Sequence, residues 1–114
     1  MKKIVALLVT GFLILLSSAI ADQNKGTEKM ELDGGSWGKV PFPHHQHQKR
    51  LEDCNKCHTM FPQMPGSIEN LKTRGELKKK AVMNTLCIQC HRAEKKAGKP
   101  SGPVSCSECH VKGS

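Results

Sequence analysis

The sequence predicts a small α+β domain with little regular structure: one short N-terminal β-hairpin, a few short helices, and loops wrapped around something other than a side-chain core. Three observations lead there. The pattern Cys-x-x-Cys-His occurs three times, at residues 54–58, 87–91 and 106–110, and uses all six cysteines. The 114 residues hold only three Phe, one Trp and no Tyr, too little apolar bulk for a chain this short to bury a sufficient core. Glycines and prolines, finally, divide the chain into short segments.

The cysteines decide the chemistry. C-x-x-C-H is the attachment pattern of a c-type haem. Two thiols a short turn apart add to the two vinyl groups on one porphyrin edge, and the adjacent His is held under the iron as its proximal ligand. Cys54 and Cys57 with His58, Cys87 and Cys90 with His91, and Cys106 and Cys109 with His110 therefore predict three covalently attached haem c groups. Competing readings explain less. A structural zinc site takes four ligands, usually from two pairs, and three Cys-Cys-His sets do not divide into such sites. Thioredoxin-like pairs sit in βαβ contexts that are missing here. Plain disulfides leave the His after every second cysteine unexplained. The motifs recur after 33 and then 19 residues, so the chain is no regular repeat array.

The chain opens with Lys2 and Lys3, an apolar run over residues 4–16, and an Ala19-Ile20-Ala21 cleavage pattern before Asp22. These are the parts of a secretory signal peptide, residues 1–21. The apolar run is shorter than the roughly 20 residues of a spanning helix and is interrupted by Thr10 and Gly11, so no stable membrane anchor is expected. No cysteine stands at the cut to carry a lipid. Export to the periplasm suits the motifs, since c-type haems are attached outside the cytoplasmic membrane.

Cleavage after Ala21 leaves one domain, residues 22–114. Without Lys2 and Lys3 its 16 Lys+Arg face 10 Asp+Glu, a net charge of +6. Three ferric haems at about −1 each bring the oxidised holoprotein to roughly +3 by charge counting. Export and the lack of interleaved aromatic and basic residues exclude nucleic acid as partner, so the lysines suit acidic docking surfaces on redox proteins. The haems themselves supply the core, and the chain is expected to be largely unfolded without them.

Along the mature chain, residues 28–33 alternate in polarity and run into Gly34-Gly35-Ser36 and then Gly38-Lys39-Val40, which reads as a hairpin. Pro41 and Pro43 confine its second strand to an edge. Pro43 suits the first position of a helix over the following histidines. Residues 59–72 read as loop, 76–86 as helix, and 92–98 as a short helix after the second motif. Residues 98–103 form a turn-rich connector, and Lys78-Lys79-Lys80 a solvated face.

Every histidine outside the motifs lies in His44-His45-Gln46-His47. On a helix, His44 and His47 share a face, about 4.5 Å apart in rise, while His45 points elsewhere. Such a cluster could hold zinc or merely be solvated, but three irons each need a sixth ligand, and two of these histidines are the candidates.

Phe42-Pro43-His44-His45-Gln46-His47 followed by three C-x-x-C-H motifs resembles the three-haem c-type cytochromes of class III, the cytochrome c7 family, relatives of the four-haem cytochrome c3. The resemblance covers about residues 28–112 and implies a small α+β multihaem cytochrome. It also implies that His44 is the distal ligand of the haem on Cys54/Cys57/His58, and His47 that of the haem on Cys87/Cys90/His91. Four residues before the middle motif the family has its last distal His; here Met83 occupies that position. A thioether favours ferrous iron and raises the potential. Met83 is therefore the expected ligand opposite His110, with His45 the alternative and Met60 and Met64 weaker ones. The function implied is that of a monomeric periplasmic electron carrier in anaerobic respiration. It would link dehydrogenases to terminal reductases or to extracellular or metal acceptors, as a carrier without catalytic residues rather than an enzyme. The competing classes are a multihaem reductase with one vacant iron and a metal-binding or haem-sensing module.

Overall fold

The structure, a computed structural model, describes residues 25–113; the expected signal peptide and its cleavage point lie outside the described residues. It opens with two antiparallel strands, β1 (Met30–Leu32) and β2 (Val40–Phe42), in which Met30 faces Phe42, Glu31 faces Pro41 and Leu32 faces Val40. Met30, Leu32, Val40 and Phe42 are half-buried while Glu31 and Pro41 are exposed, the period-two alternation of a one-faced ribbon. The second strand starts at Val40, later than the sequence suggests, because residues Gly35–Trp37 form a 3-10 turn. Asp33 Oδ1 accepts from the Gly35 N–H at 2.8 Å and secures the turn. Pro41 sits within β2, permitted because a two-stranded sheet leaves each strand an open edge.

Helix α1 (His44–Leu51) follows, with Pro43 at the N-cap, one place earlier than expected. The Pro43 carbonyl accepts from the His47 N–H at 3.2 Å, and Glu52 ends the helix in the left-handed region at φ 55°. A single turn, α2 (Asn55–His58), carries the first motif.

Two expectations for the middle of the chain need correction. The supposed loop over 59–72 contains α3 (Ser67–Thr73). Gly66, at φ 70°, turns the chain out of the Pro62-Pro65 loop, and Glu69 pairs with Lys72 at 3.0 Å one turn on. Residues 76–80, read as helical, are not. The Gly75 N–H bonds the Lys72 carbonyl and the Glu76 N–H the Leu71 carbonyl, a closing motif that commits Glu76 to ending α3. Helix resumes at Ala81 and runs unbroken to residue 96, through the second motif. Its residues Met83–Cys87 form a π-helical turn, closed by the Ile88 N–H on the Met83 carbonyl, before α4 (Ile88–Lys96).

The same closing motif ends α4, with Gly98 at φ 70° bonding Lys95 and the Lys99 N–H bonding Glu94. The third motif lies on α5 (Cys106–Cys109), with Ser105 at the N-cap position and its hydroxyl turned to Glu108 rather than to the helix backbone. Glu108 accepts from the Ser105 hydroxyl, which holds its carboxyl below the usual range.

Two ties bring distant segments together. The Val111 N–H bonds the Lys39 carbonyl at 2.8 Å, so the C-terminal motif docks on the hairpin. Arg50 on α1 pairs with Glu94 on α4 at 2.9 Å. Among the described residues no side chain is buried. The polypeptide thus packs half-buried faces and assembles no apolar core of its own.

Candidate functional site

The site is a set of imidazoles held by backbone carbonyls. His58 Nδ1 bonds the Phe61 carbonyl at 3.1 Å, His91 Nδ1 that of Pro103 at 2.7 Å, and His110 Nδ1 that of Gly38 at 3.2 Å. On α1, His44 Nδ1 bonds the Thr27 carbonyl and His47 Nδ1 the Pro43 carbonyl, each at 3.0 Å. A carbonyl only accepts, so in all five rings Nδ1 carries the proton and Nε2 keeps its lone pair. That is the tautomer in which a metal-ligating imidazole is held by its surroundings. His45 is the exception: its Nε2 bonds the Gly26 carbonyl at 3.0 Å.

These rings meet in pairs. The His44 and His58 centroids are 6.3 Å apart with planes at 86°, and those of His47 and His91 are 6.2 Å apart with planes at 24°. A metal–imidazole bond is about 2 Å, so two imidazoles on opposite faces of one iron bring their centroids to about 6 Å. The chain therefore fits two six-coordinate haems at these pairs. Phe42 at the end of β2 lies 4.4 Å from the His47 ring and 6.1 Å from that of His44, and Phe61 stands edge-on to His58 at 5.1 Å.

The third motif is built differently. Trp37 is the aromatic ring near His110, with centroids 6.4 Å apart. Met83 opens the π-helical turn four residues before Cys87 and is half-buried, as is Met60, whereas Met64 is 67% exposed.

As thiols, Cys57, Cys87 and Cys109 are pushed up in pKa chiefly by the partial desolvation of their half-buried positions. Cys87 is raised further by both Cys57 and Cys109, which puts the middle motif within electrostatic reach of the other two. All six cysteines are unpaired. Among the described residues no three His, Cys, Asp or Glu side chains converge as a zinc site requires.

Sequence reasoning missed the second layer of this site. Gly102 packs on His91, where an added Cβ would stand 2.9 Å from both ring nitrogens. Gly34, Gly38 and Trp37 surround His110. Clustered glycines beside a single Trp were the available signal.

Three attachment motifs and two imidazole pairs at the spacing of iron ligands define a multihaem c-type cytochrome. Comparison with known proteins makes this specific. Residues 40–111 match the family described as cytochrome c7 and related cytochrome c. A cytochrome c7 of Geobacter metallireducens is 36% identical over 75 residues, 66% of this chain and 67% of that one. The 26 kDa cytochrome c3 of Desulfomicrobium norvegicum is 30% identical over 91 residues, 65% of this chain and 78% of that one. Among solved structures, PpcC, a cytochrome c7 from Geobacter sulfurreducens, superposes with a TM-score of 0.52 at 31% identity, covering 76% of this chain and all of that one. The oxidised triheme cytochrome PpcA from the same organism gives 0.51 at 35% identity, covering 75% and 100%. The chain belongs to the cytochrome c7 family. It is a three-haem c-type protein that transfers electrons, a carrier rather than an enzyme.

Proposed function

We propose that the protein is a monomeric periplasmic carrier of anaerobic respiration, exported by cleavage after Ala21, that moves electrons from dehydrogenases to terminal or extracellular reductases. The observation that carries this reading is the two imidazole pairs, His44/His58 and His47/His91, each with the centroid spacing of a six-coordinate iron. Each haem, when bound, supplies a one-electron Fe(III)/Fe(II) couple. Each Cys pair anchors a porphyrin edge, and His58, His91 and His110 serve as proximal ligands. His44 and His47 are the distal ligands of the first and second haems. Because both stand on the first turn of α1, that one turn ties the two sites together.

Met83 is the sixth ligand opposite His110. Its half-buried place ahead of Cys87 supports this, as does the engagement of His45 Nε2 with Gly26. A ligand set without an open position leaves no iron for substrate, and the thioether raises the potential of one site above the others. The exposed lysines around these sites suit partners with acidic docking surfaces.

Mass spectrometry and a potentiometric titration of the exported protein test the reading together. The mature chain should begin at Asp22, carry three haem additions and show three reversible one-electron couples, one of them well above the other two. An iron in the untreated protein that takes up carbon monoxide readily would contradict it.

A further inference from the structure

The bonds that orient the five imidazoles differ in reach. His58 and His47 use carbonyls three and four residues away, and His91 and His44 reach 12 and 17 residues. His110 reaches 72 residues, to Gly38 in the turn of the N-terminal hairpin.

That turn is shaped to the ring. A Cβ on Gly34 would stand 2.7 Å from His110 Cε1, and closer still to its Nδ1 and to the Gly38 carbonyl oxygen. A Cβ on Gly38 would stand 2.8 Å from the carbonyl carbon of Val111, directly after the ligand. The Trp37 ring lies 6.4 Å from the imidazole, tilted by 56°, and Lys112 Nζ sits 5.2 Å from the Trp37 centroid. The Lys39 carbonyl fixes the Val111 N–H at 2.8 Å. Residues 34–39 thus hold the His110 ring and the backbone that follows it.

We propose that this hairpin turn is the positioning element of the third haem's proximal ligand: through the Gly38 carbonyl and the Trp37 ring it fixes the tautomer and plane of His110, and so sets the potential of that one haem. The inference rests on the electron-carrier reading and deepens it. A carbonyl that accepts from Nδ1 makes the imidazole a more basic ligand, which favours ferric iron. Loosening the bond therefore raises the midpoint of the third haem. The first and second haems, held by other carbonyls, are untouched.

The test is a redox titration of the holoprotein followed by haem-methyl NMR, which reads each midpoint separately. Gly34→Ala drives the ring and the Gly38 carbonyl apart, and Trp37→Leu removes the ring contact without touching the backbone. Gly35→Ala is the control: it adds the same methyl group to the same turn, at φ +62° where Gly34 is at φ −97°, and its Cβ would meet nothing within 4 Å. In Gly34→Ala and Trp37→Leu the midpoint of the haem on Cys106/Cys109 should rise alone, and Gly35→Ala should leave all three in place. Three midpoints moving together, none moving, or Gly35→Ala acting like Gly34→Ala would each overturn the proposal. Should Gly34→Ala not accumulate as holoprotein, Trp37→Leu decides. Failure of the carrier reading is distinct, since wild type would then lack three reversible couples.

Discussion

Gly102→Ala puts one methyl group against one ligand, and its effect follows from the distances. The new Cβ would lie 2.9 Å from Nδ1 and Nε2 of His91, against about 3.5 Å for a relaxed contact. The ring's Cε1 would stand closer to it than either nitrogen, so ring and connector must part by roughly an ångström. The bond that yields is the one from His91 Nδ1 to the Pro103 carbonyl, at 2.7 Å shorter than the corresponding bonds of the other four rings. A net hydrogen bond is worth about 1 kcal/mol. If all of it distinguishes ferric from ferrous iron, the one-electron midpoint rises by about 40 mV. Haem-resolved NMR titration measures this, with the haem on Cys87/Cys90 moving upward by up to that amount and the other two fixed. A downward shift, or an equal shift in all three, would refute the reasoning.

The remaining predictions concern the ligands and the core. His44→Ala and His47→Ala should each convert one low-spin haem to high-spin in optical spectra, while His45→Ala leaves all three low-spin. Met83→His should lower one midpoint towards the other two and abolish the far-red sulfur-to-iron band of the oxidised protein. Arg50→Met should cost at most about 1 kcal/mol by thermal melting and leave the potentials alone, because the pair with Glu94 is partly exposed and still screened by solvent. Chain produced without haem attachment should melt with no cooperative transition in calorimetry, since none of its described side chains is buried.

The haem sites were legible because covalent attachment needs fixed residue types at fixed spacing, as in Cys87, Cys90 and His91. The placement of His44 and His47 together on the first turn of α1 was legible for a related reason, the regular rise of a helix. Helix α3 was hidden because its start depends on Gly66 adopting a left-handed conformation and its end on a closing motif over Gly75 and Glu76. The uninterrupted helix through the second motif was hidden by the same event, which moved its start to Ala81. The carbonyls that orient the histidines belong to Thr27, Gly38, Pro43, Phe61 and Pro103, and a backbone carbonyl has no residue type to read. Only the glycines that let those carbonyls approach leave a trace in the sequence.

The central claim, two irons each held between imidazoles and a third with its own sixth ligand, meets its most direct test in the electron paramagnetic resonance spectrum of the fully oxidised holoprotein. Perpendicular imidazole planes leave the iron d orbitals nearly degenerate and give a strongly anisotropic low-spin signal, whereas near-parallel planes give a rhombic one. The 86° pair of His44 and His58 predicts the first kind, and the 24° pair of His47 and His91 the second. A third low-spin signal from the His110 site should complete the spectrum, with no high-spin ferric iron. A high-spin signal in native protein, or a single type of low-spin signal accounting for all three irons, would contradict the account.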